Sequence, residues 1–273
     1  MLGEQMLLDS TPRPGHPPPL PALLTASRHM PITGTILNVA AIVAGVVAGL
    51  ATRKDFTPEW QLRIRKLLGV FMVWFGLKIV WSGLNGSFWQ VTQQFVIMLV
   101  ALMLGKMAGR WLHLQKSLNR LGQYAKQQFT QPGTGSGAKR AARGFLTCTV
   151  VYCAAPLAIL GSLHEGLTGD YQPLAVKAAM DGLAAAAFAR LFGPAIALSI
   201  LPMVAYQGSW VLWGGYLEPI LHHRALADSV EVVLGFQILC VALVILEISK
   251  IELSDYLPAL VFAPLLTWSL TFF

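Results

Sequence analysis

Residues 32–51 read ITGTILNVAAIVAGVVAGLA, twenty residues without a single charge. A helix rises about 1.5 Å per residue, so such a run covers the ~30 Å hydrocarbon layer of a bilayer. More runs of this kind follow, and they limit the fold more than any other feature. Composition agrees with them: 55% of the 273 residues are hydrophobic and 12% are charged, against about 25% charged in soluble domains. A soluble core has no use for so much apolar surface, and lipid as solvent is the alternative. The expected fold is an all-α polytopic transmembrane helical bundle.

Eight spans are expected, at about 32–51, 67–84, 89–109, 144–163, 174–192, 194–217, 229–247 and 256–272. The charge, glycine and proline of ARLFGP at 189–194 divide the fifth from the sixth. The last span is short and holds Pro258 and Pro264, so seven spans is the alternative. Ala41, Gly45 and Gly49, Gly105 and Gly109, and Ala178, Gly182 and Ala186 recur at intervals of four, where small residues let helices approach closely. A faint likeness between GT and LLGVF near spans one and two and GS and VLGF near spans six and seven suggests two inverted three-span units around a central helix pair.

Residues 1–30 contain TPRPGHPPPLP and read as a disordered proline-rich tail, with Met30 as an alternative start. Residues 31–273 read as a single transmembrane domain. Five basic residues lie in 52–66, and eight with no acid lie in 106–143, whereas 85–90 and 164–173 have none. By the positive-inside rule both basic linkers face the cytoplasm, which puts the N-terminus outside. The +7 net charge therefore implies anionic lipid headgroups as partners rather than nucleic acid. Within 110–143, Trp111, Leu114, Leu118, Leu121, Ala125 and Phe129 mark one apolar face, for the membrane surface or a partner helix. PGTGSGAKR at 132–140 reads as a flexible tether.

The charges in GSLHEGLTGDYQPLAVKAAMDG at 161–182 need a reason of another kind. Lys177 and Asp181 stand four apart on one helix face. Asp181 lies about 10 Å below the outer end of its span, and a charge at the bilayer centre costs at least ~2.5 kcal/mol. Aspartate is too short to snorkel, so it needs a proton, a cation or Lys177. Glu165 and Asp170 are expected in an irregular outer turn that lines water. Asn38 and Gln207 are uncharged polar groups inside spans one and six, and either helix glue or ligands would explain them. YQGSW around Gln207 is expected to unwind its helix. Lys78 sits in the outer half of span two, while Arg190 and Glu247 read as anchors at inner span ends.

No enzyme pattern is complete. HEGLT lacks the second histidine of a zinc protease, GLTGD lacks the first glycine of an intramembrane aspartyl protease, and there is no G-x-S-x-G. Cys148, Cys153 and Cys240 have no metal-ligand spacing, and neither cofactor nor metal is expected. His222 and His223 read as a solvated pair on an outer loop.

Taken together and in order, GTILNVAAIVAGVVAGL, AILGSLHEGLTGD, KAAMDGLAAAAFA and LPMVAYQGS resemble a widespread bacterial inner-membrane family catalogued as domain of unknown function five-five-four. The resemblance spans about 31–268 and implies a multi-pass cytoplasmic-membrane protein, a kind sometimes labelled a transporter or permease. The family's turn reads G-S-x-x-D-G-L-x-G-D, and Glu165 stands where its first acid would be. Asn38, Lys177 and Asp181 match the family's asparagine, lysine and aspartate. The expected function is a secondary transporter or channel for a small ion or polar solute, bound by Asp181, Lys177, Glu165, Asp170, Asn38 and Gln207. The alternative is a non-transporting interaction or sensory module that signals through the basic linker. A second copy of the chain is a further partner the sequence allows.

Overall fold

The structure, a computed structural model, describes residues 32–52, 57–130, 137–223 and 226–270. The proline-rich tail, Arg53 and Lys54 fall outside them, as do the side chains of Phe129, His222 and His223. Among the described residues all regular structure is helical: α1 (Thr33–Ala51), α2 (Pro58–Gly83), α3 (Phe88–Trp111), α4 (Leu114–Thr130), α5 (Gly137–Ala154), α6 (Pro156–Thr168), α7 (Gln172–Phe192), α8 (Ile200–His223), α9 (Ala227–Ile245) and α10 (Ala259–Leu270). Short 3-10 turns, Pro194–Ser199 and Leu253–Tyr256, lead into α8 and α10.

Local chemistry sets the helix ends. Thr57 caps α2 by accepting from Trp60 N, and Ser87 with Gln90 forms a reciprocal capping box on α3. Gly169, at φ 77°, closes α6 in the left-handed conformation that glycine adopts freely. Pro156 separates α5 from α6. It has no N–H to continue the ladder, the preceding Ala155 is extended, and the two helices meet at a bend of 56°. Gly193, at φ 82°, and Pro194 do the same between α7 and the turn before α8.

Among the described residues five helical segments are long and apolar enough to cross a membrane: Thr33–Ala51, Phe88–Trp111, Pro194–Leu221, Ala227–Ile245 and Leu253–Leu270, with the bent α5–α6 pair as a sixth. That is fewer than the seven or eight read from sequence. The difference lies in α2 and α7, which have 26 and 21 residues but carry charges. Three other expectations are corrected. The span drawn straight through 144–163 is broken at Pro156. The expected tether already joins α5 at Gly137. The helix does not unwind at Gln207, since α8 runs unbroken from Ile200 to His223. Pro202 falls in its first turn, where no N–H partner is needed, and the irregular backbone sits earlier, at Gly193–Ser199.

Two helix pairs form the frame. In α1/α7 a Cβ on Gly45 would lie 2.1 Å from Gly182 O, and one on Gly49 would lie 2.3 Å from Ala186 O. Residue numbers rise together along this seam, so the two helices run parallel. In α2/α9 Gly69 faces Leu246 and Gly83 faces Asp228 O, so that pair is antiparallel. Gly105 against Ala259 and Gly109 against Asp255 make α3 antiparallel to α10 and the turn before it. The bundle thus has an entry face, where α1 begins, and an exit face, where it ends. Among the described residues every Lys and Arg except Lys78 and Lys177 lies towards the exit face.

The outer wall is apolar. Ile36, Val43, Val47 and Leu50 of α1 are all exposed, which a soluble protein would not tolerate as a continuous stripe. Trp81, Phe88 and Trp89 stand out at the α2–α3 turn, and Trp60 and Trp111 at the opposite face. Aromatic belts at both ends suit the two interfaces of a bilayer. The amphipathic α4 packs on α5 and on the Leu253–Tyr256 turn, where Asp255 Oδ1 accepts from Gln115 N at 2.9 Å. Its Ala125 is buried and Leu121 exposed, and Trp111 belongs to α3.

Candidate functional site

Three helices bring ionisable and amide side chains together inside this apolar shell. Asp181 is the tenth of the 21 residues of α7, close to its mid-length. Lys177, one turn earlier, donates to Asp181 Oδ2. Asn38 of α1 donates through Nδ2 to the same oxygen at 2.9 Å and to Gln207 Oε1 of α8 at 3.2 Å. Met203 Sδ lies 3.6 Å from that nitrogen. Lys177, Asp181, Asn38 and Gln207 are 2%, 6%, 0% and 0% exposed. The parallel seam explains the meeting: at the closest glycine contacts the backbones nearly touch, so short side chains reach across.

The cluster is not fully satisfied. Asn38 Oδ1 and Gln207 Nε2 are buried without a hydrogen-bond partner, as is Thr35 Oγ1, three residues before Asn38 on α1. Unpaired buried polar atoms cost about 1–3 kcal/mol each, and their concentration around one ion pair marks a place where further polar groups can bind. Thr35 was missed from sequence, although the helical spacing of GTILN puts it on Asn38's face.

Glu165 corrects another expectation. It lies in the last turn of α6, fully buried, rather than in an irregular water-lined turn. Its Oε1 accepts from Gly34 N at 2.7 Å, at the first turn of α1, and its Oε2 has no partner. The carboxylate therefore meets the positive end of the α1 dipole. At the other end of α1, Arg190 Nε donates to Gly49 O at 3.3 Å. Glu247, read as a lone anchor, pairs with Arg65.

Asp170 stands apart from the cluster, in the turn between α6 and α7. Its Oδ2 accepts from Lys78 Nζ at 2.9 Å, and that ammonium also donates to Gln172 Oε1 at 2.9 Å. Burial pushes the Asp170 carboxyl up, but the Lys78 ammonium and the Gln172 N–H outweigh burial and hold it below the usual carboxylate range. Among the described residues no group of three or more His, Cys, Asp or Glu could hold a metal ion.

Comparison with known proteins bears on the same elements. Residues 33–268 match the family model described as "Protein of unknown function (DUF554)". The chain belongs to that family. It is 28% identical over 232 residues to "Uncharacterized membrane protein YdfK" of Bacillus subtilis (strain 168), covering 85% of this chain and 93% of that one. It is 24% identical over 232 residues to "Uncharacterized protein YqgA" of Escherichia coli (strain K12), covering 85% and 94%. No solved structure gives a significant match. The DUF554 match takes in α1 to α9 and most of α10, and so every residue of the cluster.

Proposed function

We propose that this DUF554 protein is a secondary transporter or channel for a small ion or polar solute, held here with its site closed. The observation that carries the reading is the buried Lys177–Asp181–Asn38–Gln207 cluster with its unpartnered amide atoms. An ion pair in a dry interior is seldom the most stable filling of that volume, since apolar residues of similar size often do as well or better. Lys177 neutralises Asp181 while the site is empty and yields when a solute arrives. The breaks at Ala155–Pro156 and Gly193–Pro194 lie on the chain segments that carry Glu165 and Gln207, the usual way for a transporter to let a fixed site open.

The chain crosses the bacterial inner membrane eight times in this reading, with α5–α6 and the Pro194–His223 segment each counted once. Eight alternating crossings require α1 and α7 to be parallel and α2/α9 and α3/α10 to be antiparallel, and these relative directions support the count. The basic exit face is cytoplasmic by the positive-inside rule, which puts the start of α1 outside. Anionic headgroups meet that face. No enzymatic role is proposed. The inverted repeat would relate the α1/α7 pair to the α8/α6 pair, where Gly166 meets Val211 O as Gly45 meets Gly182 O.

The test is uptake into proteoliposomes by wild type and Asp181→Asn. The reading requires flux that the substitution abolishes. Flux that survives it removes Asp181 from the mechanism. A second reading, a membrane module signalling through α4, draws on the tight seal between Asp181 and Lys177. It predicts no flux from either protein, and an effect of Asp181→Asn on the protease sensitivity of α4.

A further inference from the structure

We propose that the Glu165–Gly34 contact and the Lys177–Asp181 pair are two halves of one binding site, and that its ligand is a small zwitterion with one carboxylate and one ammonium, a short amino acid in chemical class. The inference rests on the transport reading and names its substrate class.

Each half already binds a charge of the kind proposed. At the first turn of α1 the Gly34 N–H holds a carboxylate oxygen at 2.7 Å, supplied by a residue 131 positions away in the chain. The helix's own cap, Ile32, offers no side-chain hydrogen bond. Two buried oxygens at this end are without partners, Glu165 Oε2 and Thr35 Oγ1, with their residues 0% and 3% exposed. A helix start beside the spare Thr35 hydroxyl, a donor, suits an anionic group once the Glu165 carboxylate has left. Gly34 keeps the approach open, because a Cβ there would lie 2.8 Å from Glu165 Oε2 and 2.7 Å from Leu174 Cβ.

One turn further along α1, Asn38 Nδ2 donates to the Asp181 carboxylate, which holds an ammonium, that of Lys177. Asn38 Oδ1, unpartnered, can accept a further N–H. Gly34 and Asn38 are four residues apart, about 6 Å along the axis. An anion subsite and a cation subsite thus lie within one helical turn, each filled by a charge tethered to the chain.

The two subsites together select the ligand. A lone anion can replace only Glu165 and a lone cation only Lys177, and each leaves the other subsite filled by its tethered charge. A zwitterion replaces both tethered groups and leaves the net charge of the site unchanged. Glu165 sits on α6, beyond the 56° break, so a swing of α6 together with α8, to which Gly166 locks it, can withdraw the carboxylate while the α1/α7 seam stays closed.

The experiment is thermal unfolding of the purified full-length chain in detergent, at constant ionic strength. The probes are glycine, β-alanine, 4-aminobutyrate and 5-aminopentanoate, with butyrate and butylamine as single-charge controls. A ligand that prefers the native form raises the melting temperature. One amino acid is expected to do so at a concentration about tenfold below either control, a factor matched by a second charged contact. Butyrate is expected to stabilise Glu165→Ala but not Lys177→Ala, and butylamine the reverse. Amino acids no better than the controls overturn the proposal, as does an unchanged butyrate response in Glu165→Ala. Where an alanine variant does not fold, Glu165→Gln and the wild-type series decide alone. Asp181-dependent flux of an inorganic cation with no amino-acid response rejects the zwitterion and leaves transport standing. Amino-acid stabilisation without any flux supports the site and rejects transport.

Discussion

The seams α1/α7 and α2/α9 close in the same way and are filled differently. Both depend on glycine: a Cβ on Gly45 would lie 2.1 Å from Gly182 O, and one on Gly235 would lie 2.7 Å from Val80 N. The α2/α9 seam is then packed with Met72, Ile79, Leu234 and Ile238, all buried. Its polar contacts are at the ends, Ser82 to Glu231 at 3.2 Å, Asn85 to Asp228 at 3.3 Å, and Arg65 to Glu247. The α1/α7 seam places Asn38, Lys177 and Asp181 in its interior. The first pair shows that this bundle closes two long helices without an ionisable group between them. The charges in the second are therefore surplus to packing.

The largest expected effect tests the shared part of the comparison. Gly45→Val drives a branched side chain into the Gly182 carbonyl, and backbone cannot rotate away. The cost should exceed the ~1–3 kcal/mol of ordinary overpacking, and size-exclusion chromatography in detergent should show loss of the monodisperse protein. Gly235→Val, with its looser nearest contact, should retain a reduced folded fraction. Equal tolerance of the two would mean that the α1/α7 seam is not the tighter one.

The next effect tests the part that differs. Lys177→Met leaves a buried carboxylate without its cation, at about 3–5 kcal/mol by the behaviour of other buried pairs. Lys177→Met with Asp181→Leu converts the seam into a copy of α2/α9 and should recover most of that loss, while abolishing flux. Chemical unfolding of both variants and the wild type is the measurement. A double variant as unstable as the single one would show that the pair is not coupled.

Much of this contrast could be read before any coordinates. Helix positions followed from apolar runs, because in lipid nearly every crossing residue must be apolar and a charge stands out. Lys177 and Asp181 could be placed on one face because helix periodicity is local. What sequence could not provide was the partner across the seam. That Asn38 meets Asp181, and that Glu165 reaches the first turn of α1, depends on contacts between residues more than a hundred positions apart. The break at Gly193–Pro194 fell within ARLFGP as expected, but two others were misplaced for a related reason. Glycine and proline near Gln207 looked disruptive, yet Pro202 sits in a first helical turn that tolerates it, while Pro156 follows a complete helix and ends it.

The entry-face pair Lys78–Asp170 should contribute less than the interior pair. Lys78 is half exposed, with its side chain at 49%, so solvent screens the attraction to about 1 kcal/mol or less. Because the folded carboxyl is held below its ordinary value, its contribution is present above the unfolded pKa and is lost as pH falls through the folded one. Melting temperatures of wild type and Asp170→Asn should differ near neutral pH and converge below about pH 4, near the carboxylate reference value. Convergence on raising the pH instead would reverse the sign and reject the assignment.

The smallest effect belongs to Arg65 and Glu247, where α2 and α9 meet the exit face. Their side chains are 47% and 64% exposed. A pair so open to water gains little from mutual attraction and gives up side-chain freedom to form, so many such pairs contribute nothing measurable. Arg65→Gln should leave the melting temperature within error, and added salt should remove whatever remains. The change in topology is the sharper readout. Arg65 is one of several cations on its face, so orientation judged by cysteine accessibility should hold after one substitution and weaken when Arg63, Arg65 and Lys66 are all made neutral. If the single change destabilised the protein as much as Lys177→Met, the contrast between a screened edge and a dry interior would be wrong, and the case for a functional reason behind the buried charges would lose its footing.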